Sequence, residues 1–282
     1  MATLAVRAAT LPSGATIPVL GQGTWHLGEG RHPREEEIAA LRTGIDLGMT
    51  LIDTAEMYGS GKSEELIGEA IAGRRDEVFL VDKVLPTHAT RNGTMSACEA
   101  SLARLGTDHL DLYMLHWRGG VPLQATVGAF EELRAAGLVR HWGVSNLDLP
   151  DMVELMDVDG GRQCATDEVL YNLLHRGIEW DLLPWCATNG RPLIAYSPIE
   201  QGRLLGHPVL RFIGAKHRAT SAQIALAWVV AHEGVCAIPE AGSPDHVRQN
   251  RAALDIRLDD EDVVKLDSAF PPPSHPVPLE ML

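Results

Sequence analysis

Short apolar runs alternate with helix-patterned stretches eight times along this chain, and that alternation restricts the fold more than any other feature. The runs are VLGQGT (19 to 24), TLIDT (50 to 54), VFLVDK (78 to 83), LDLYMLH (110 to 116), VRHWGVS (139 to 145), ATDEVL (165 to 170), PLIAYS (192 to 197) and VCAIP (235 to 239). Between them, residues 34 to 47 set Ile38, Leu41, Ile45 and Leu47 at helical spacing, as residues 122 to 136 do with Val127, Phe130 and Leu133. Ser63 before Glu64 and Glu65, and Ser145 before Asn146, read as helix starts. Gly48, Gly73, Gly106, Gly137 and Gly190 read as stops. This pattern predicts an α/β fold, a (β/α)8 TIM barrel forming a single domain over residues 1–282.

An N-terminal β-hairpin should precede the barrel, with LAVRA and TIPVL flanking Pro12, Ser13 and Gly14. A doubly wound sheet shares the alternation but would open on a G-x-G-x-x-G turn, and Gly21-Gln22-Gly23-Thr24-Trp25 lacks both the third glycine and an immediate helix. The proline-rich end, FPPPSHPVPLEML, cannot be helical and reads as a tail folded over one barrel face.

No apolar stretch approaches the roughly 20 residues of a membrane span. The opening residues lack the pattern of a secretion signal, so a cytoplasmic protein is expected, with no membrane partner. A net charge of −14 argues against nucleic acid, whose phosphates are bound by clustered Lys and Arg. Cys98, Cys164, Cys186 and Cys236 form no C-x-x-C pair and read as buried reduced thiols, with no metal site.

In such a barrel, side chains at the C-terminal strand ends converge on one mouth. Asp53, Lys83 and His116 close the second, third and fourth strands, and Tyr58 lies on the loop above Asp53. Each alone has an ordinary explanation as a turn, surface or core residue; together they form a proton-delivery set. A free phenol has a pKa of about 10. An ammonium about 4 Å away favours the phenolate by up to roughly 4 kcal/mol at an effective dielectric near 20, and burial opposes that. Asp53 would keep Lys83 charged, and His116 would donate to a carbonyl oxygen.

The segments LIDTAEMYGSGKSEELIGEAI, VDKVLP, SLARLGTDHLDLYMLHW, GLVRHWGVSN and LIAYSPI resemble the successive motifs of the aldo-keto reductases, in particular bacterial members with short loops. The resemblance implies an NAD(P)H-dependent oxidoreductase that reduces aldehydes or ketones, with Asp53, Tyr58, Lys83 and His116 as its catalytic tetrad and Tyr58 as general acid. It implies an extended cofactor, NADP(H) by family, lying across the mouth. Ser145 and Asn146 match the pair on the nicotinamide carboxamide, with Glu168 in the place of a glutamine, and Tyr196 matches the ring that stacks on the nicotinamide. Ser197, Pro198, Ile199, Gln201 and Gly202 match the pyrophosphate loop. Ile238, Glu240, Ala241, His246 and Asn250 belong to the segment that holds the adenosine end, and Trp25 and Trp117 match substrate-pocket positions. A monomer acting on small-molecule carbonyls is the family expectation.

Several positions depart from the pattern. Glu240 stands where NADPH-preferring members carry a lysine for the 2′-phosphate, and His246 where many have an arginine; an anion there predicts NAD(H) tolerated or preferred, unless Arg248 supplies the cation. Asp167 and Glu168 replace amides. Ionised Glu168 cannot donate to a carboxamide oxygen, though it would favour the cationic oxidised cofactor. Asp82, beside Lys83, should point away from the mouth. The short connection from Arg118 to Leu123 predicts an open site for small to medium aldehydes and ketones. The alternatives are a Schiff-base aldolase using Lys83, which Asp53 opposes by holding the amine protonated, and a cofactor-binding regulatory module.

Overall fold

The structure is a computed structural model and describes residues 6–282. Ala8–Thr10 (β1) and Thr16–Pro18 (β2) pair antiparallel as the expected hairpin, although Leu4 and Ala5 of its predicted first strand lie outside the described residues. Eight parallel strands follow: β3 (Gln22–Gly23), β4 (Leu51–Asp53), β5 (Phe79–Val84), β6 (Leu110–Leu115), β7 (Val139–Ser145), β8 (Asp167–Leu170), β9 (Leu193–Tyr196) and β10 (Val235–Ala237). Each pairs with the next in sequence order. All eight predicted runs are therefore strands of one sheet.

The sheet closes on itself. Leu20 bridges Ala237 and Gly23 bridges Glu240, both in parallel, and the Gly21 amide donates to the Ala237 carbonyl at 2.8 Å. Closure gives every strand two neighbours and removes the unpaired edge of an open sheet. It also explains the glycines that could be mistaken for a dinucleotide turn. A Cβ at Gly21 would lie 2.6 Å from the Leu51 carbonyl oxygen, and one at Gly23 would lie 2.6 Å from that of Ile238. They are glycine because neighbouring backbone passes over them at the seam.

Helices α1 (Arg34–Asp46), α2 (Lys62–Ile71), α3 (Arg91–Leu105), α4 (Leu123–Ala135), α5 (Leu149–Asp157) and α6 (Leu182–Thr188) alternate with the strands. After β9 come α7 (Pro208–His217) and α8 (Ser221–Ala231), and after β10 come α9 (Pro244–Ala252) and α10 (Asp260–Ala269). The larger apolar cluster joins strands to helices, through Leu80, Tyr113 and Trp142 on the sheet side and Leu66, Phe130 and Trp228 on the helix side. The smaller fills the barrel from within, where Val81, Leu112, Met114 and Ile194 meet Leu11 and Ile17 of the hairpin. Alternation of side chains along each strand accounts for the two layers.

Two helix starts differ from expectation. Helix α2 begins two residues earlier than a Ser63 cap would start it, at Lys62 behind Gly61, whose φ of 92° suits glycine. Ser63 instead lies buried inside it and donates to the Thr24 hydroxyl at 2.8 Å, stitching the helix to the first barrel loop. Helix α5 is capped by Asp148, whose carboxylate accepts from the Asp151 amide at 2.9 Å, so Ser145 ends a strand and starts no helix. The proline-rich tail holds no helix or strand beyond residue 270 and reaches the strands' C-terminal side, where Glu280 lies 2.9 Å from His175.

Gly23→Ala should destabilise the protein by about 1–3 kcal/mol through overpacking at the seam. Urea denaturation checks this, and an unchanged midpoint would contradict the close approach.

Candidate active site

Lys83 organises the mouth. Its ammonium has no solvent exposure and lies 2.5 Å from Asp53 Oδ1 and 3.3 Å from Glu168 Oε1, and it donates to the Thr54 carbonyl at 3.0 Å. The Tyr58 hydroxyl is 3.4 Å away. These contacts exist because the closed barrel brings Asp53 at the end of β4, Lys83 near the end of β5 and Glu168 within β8 to face one another across its interior. Burial alone would strip the proton from Lys83, but attraction to Asp53 and Glu168 outweighs it and holds the ammonium well above the ordinary lysine range.

The sequence argument gave Lys83 one carboxylate, and the structure gives it two. Burial, then repulsion from Asp53, pushes the Glu168 carboxyl far above the carboxylate range despite the nearby ammonium. Asp53 is raised by burial and relieved by Lys83. The two carboxyls also hydrogen-bond each other beside a single ammonium, which favours one proton shared by the pair.

This alters the reading of Tyr58. Burial raises its phenol, Lys83 lowers it, and Asp53 and Glu168 raise it again, leaving it above the ordinary tyrosine value. The expected acidification therefore does not operate in the resting site, because burial outweighs the pull of Lys83 and the nearby carboxyl groups offset part of that pull. The phenol rests as a neutral O–H donor. His116 follows β6 and meets Tyr58 edge-on, with ring centroids 5.8 Å apart. Burial, reinforced by Lys83, pushes its imidazole down to about 2, so it is neutral and retains one N–H.

These groups open onto a cavity of about 630 Å³. Its lining includes Asp53, Tyr58, His116, Ser145, Asn146, Glu168, Tyr196, Ser197, Pro198, Ile199, Gln201, Gly202, Ile238 and Glu240, with Trp25 and Trp117 among its aromatic walls. Lys83 lies beneath. Ala241, His246 and Asn250 fall outside the lining; His246 and the buried Asn250 lie on α9. Met57, Met281, Leu282 and Arg31 line the cavity without having been singled out in the sequence. Arg31 is the sole Arg or Lys in that lining, and no ion pair engages it among the described residues.

Several anticipated contacts have protein partners. Ser145 Oγ donates to the Glu168 carbonyl at 2.9 Å, Asn146 Nδ2 donates to the His116 carbonyl at 3.1 Å, and Tyr196 donates to Asn146 Oδ1 at 2.9 Å. They lock the tips of β7, β8 and β9 together. Ser197, Glu200 and Gln201 all have φ near +50°, a concentration of left-handed backbone in the loop after β9. The Glu240 carboxylate accepts from the His26 amide at 3.1 Å, and Arg248 is paired with Asp245 at 2.7 Å.

Asp82 points away from the mouth as expected: its Oδ1 accepts the Lys83 amide at 2.7 Å, and its buried carboxyl is raised by burial and by Glu64 of α2. Asp167 is buried too: no cation pairs with it among the described residues, and the backbone of Leu147 and Glu168 only partly offsets the burial that holds its carboxyl well above the usual range. The four cysteines are free and buried. Among the described residues no cluster of His, Cys, Asp or Glu is arranged for a metal, and no helix is long and apolar enough to cross a membrane.

Fold and site together define a barrel enzyme whose mouth offers proton donors to a carbonyl oxygen inside an aromatic-walled cavity. The comparisons agree. Residues 19–270 match the model of the aldo/keto reductase family. The chain is 51% identical to the methylglyoxal reductase YeaE of Escherichia coli (strain K12) over 272 residues, 95% of this chain and 96% of that one. It superposes on an aldo/keto reductase from Klebsiella pneumoniae in complex with NADP and acetate (TM-score 0.95, 50% identity, 98% of this chain and 100% of the other). A Klebsiella pneumoniae structure in complex with NADPH gives a TM-score of 0.96 at 50% identity, covering 99% of this chain and 100% of the other. The chain belongs to the aldo/keto reductase family and is an NAD(P)H-dependent oxidoreductase that reduces carbonyls.

Asp167→Asn should stabilise the fold by about 1–3 kcal/mol at pH 8, by removing a buried carboxyl that no cation compensates. A carboxyl raised in the folded state stabilises fully below its unfolded pKa of about 4 and loses that contribution as pH rises. The gain in Tm should therefore shrink toward pH 4, and a gain independent of pH would contradict the assignment.

Proposed function

We propose that this enzyme reduces small aldehydes and α-oxoaldehydes of the methylglyoxal type with NADP(H), using Tyr58 as general acid. The observation that carries this is the meeting of the Tyr58 hydroxyl, the Lys83 ammonium and a neutral His116 at the floor of one cavity. The similarity to a methylglyoxal reductase supports the substrate class. So do aromatic walls and a short connection between β6 and α4, which suit a small substrate in an open site.

The cofactor fits the residues present: orphaned polar atoms at Glu168 and His116 lie at the site, and Tyr196 supplies an aromatic face at the strand end. Ser145, Asn146 and Glu168 would meet the nicotinamide carboxamide. The backbone amides of Ser197, Ile199 and Gln201, in the loop of left-handed turns after β9, would meet the pyrophosphate. Ile238 to Asn250 would hold the adenosine end. Bound there, the reduced nicotinamide supplies the hydride to the carbonyl carbon. Tyr58 gives its proton to the carbonyl oxygen as negative charge grows on it, and Lys83 stabilises the phenolate as it forms. His116 orients the oxygen by donating an N–H.

An ammonium held above its ordinary range is no nucleophile, which disfavours the aldolase reading. For cofactor choice, the NADP- and NADPH-bound relatives favour the phosphorylated form. Glu240 remains an anion in the cavity wall, so NAD(H) should be tolerated. Arg31 offers the compensating cation from the facing loop, where the neighbouring His32 ring packs on Gly242 of the adenosine segment. The 282 residues act as one domain and, by family precedent, as a monomer in the cytoplasm.

Tyr58→Phe should lower kcat for methylglyoxal about 10²- to 10⁴-fold, with cofactor affinity little changed. Stopped-flow nicotinamide absorbance with fluorescence titration separates the two, and a variant retaining near-normal kcat would remove Tyr58 as the acid. Arg31→Ala should weaken NADPH binding about five- to tenfold and NADH binding much less, read by the same titration. Equal losses for both cofactors would place Arg31 away from the 2′-phosphate.

A further inference from the structure

We propose that Glu168 is the proton store of this active site: a neutral carboxylic acid that returns a proton through Lys83 to Tyr58 and remains as a carboxylate while the oxidised cofactor is bound. The proposal rests on the nicotinamide-dependent reading above and extends it to a residue that stands where the family resemblance implies an amide.

Three observations carry it. Glu168 Oε1 lies 3.3 Å from the Lys83 ammonium, which reaches the Tyr58 hydroxyl at 3.4 Å, so one nitrogen connects carboxyl and phenol. Glu168, only 2% exposed, shares a side-chain hydrogen bond with Asp53, which requires a proton on one of the two carboxyls, and Asp53, 2.5 Å from the ammonium against 3.3 Å for Glu168, is the better-paired anion. Glu168 also lines the cavity, so its proton can exchange when the site opens. The groups that face it are Asp53 from β4, Lys83 from β5, Tyr58 from the turn above, His116 after β6 and Tyr196 from β9. Among these only Lys83 is cationic, and Asp53 already neutralises it at 2.5 Å. A second permanent anion would leave the buried group with an uncompensated charge. The raised Glu168 carboxyl agrees with this balance.

The proton count closes. As hydride adds to the carbonyl carbon, the electron pair of the C=O π bond moves to oxygen, which takes the Tyr58 proton. The phenolate takes a proton from the Lys83 ammonium, and the resulting amine takes one from the Glu168 carboxylic acid. Alcohol is formed, Tyr58 and Lys83 are restored, and Glu168 is left ionised. That negative charge appears as the nicotinamide becomes cationic, so the site ends the chemical step with its net charge unchanged. Release of the oxidised cofactor removes the cation, and Glu168 recovers its proton from water.

The test is proton release on cofactor binding, measured by titration calorimetry near pH 7 in buffers of different ionisation enthalpy, with NADP⁺ and NADPH as probes. NADP⁺ should release close to one proton and NADPH none. Its affinity relative to NADPH should then rise up to about tenfold per pH unit. Glu168→Gln should bind both without releasing a proton and with a pH-independent ratio. Infrared difference spectra of the wild-type protein in D₂O should show a protonated-carboxyl band lost on NADP⁺ binding, which tests the idea even if the variant fails to fold. Binding of NADP⁺ without proton release, or equal release by the variant, would overturn the role of Glu168 and leave the reductase reading intact. Failure of both cofactors to bind would overturn that reading and this proposal with it.

Discussion

A fully buried ammonium sets the terms for this protein. Removing Lys83 from water costs several kcal/mol unless opposite charge and hydrogen bonds replace its hydration, and here the replacement comes from Asp53, Glu168 and the Thr54 carbonyl. Those groups belong to, or directly follow, β4 and β8. Only a closed barrel brings both to β5. The same closure requires bare backbone at Gly21 and Gly23, so the seam glycines and the active-site lysine depend on one geometric condition.

Burial and the compensation of Lys83 together have a chemical consequence. Burial, with Asp53 offsetting part of the Lys83 field, keeps the proton on the Tyr58 phenol at rest, and burial keeps His116 neutral. The site is thus arranged with donors loaded, and the ammonium contributes most when charge develops on the phenol oxygen. Three carboxylates that break the family pattern show how environment decides the meaning of one residue type. Asp167 is buried with no cation beside it, Glu168 faces inward onto Lys83, and Glu240 is tied to the His26 amide at the cavity wall.

Much of this was legible along the chain. All eight apolar runs are strands, and the residues at their C-terminal ends meet because parallel strands of a barrel all end at one mouth. Local signals were less dependable. Ser63 carries the residue type of a helix start yet is used as a buried hydrogen-bond donor to Thr24, since packing of α2 on the first loop outweighs capping preference. The contact between Glu168 and Lys83 was invisible because a strand pattern reports which residues alternate and never how far apart two side chains lie across a barrel. Arg31, Met281 and Leu282 were missed for a related reason: they sit in a loop and a tail, whose paths leave no periodic trace.

By itself the sequence determined the number of strands, their direction and the identities of the acid, ammonium, imidazole and phenol, because periodicity and residue chemistry are properties of the chain read one position at a time. The tertiary structure alone decided which charges face one another and which are starved of water. Distance and burial set the energy of an ionisable group, and both arise only when the barrel closes.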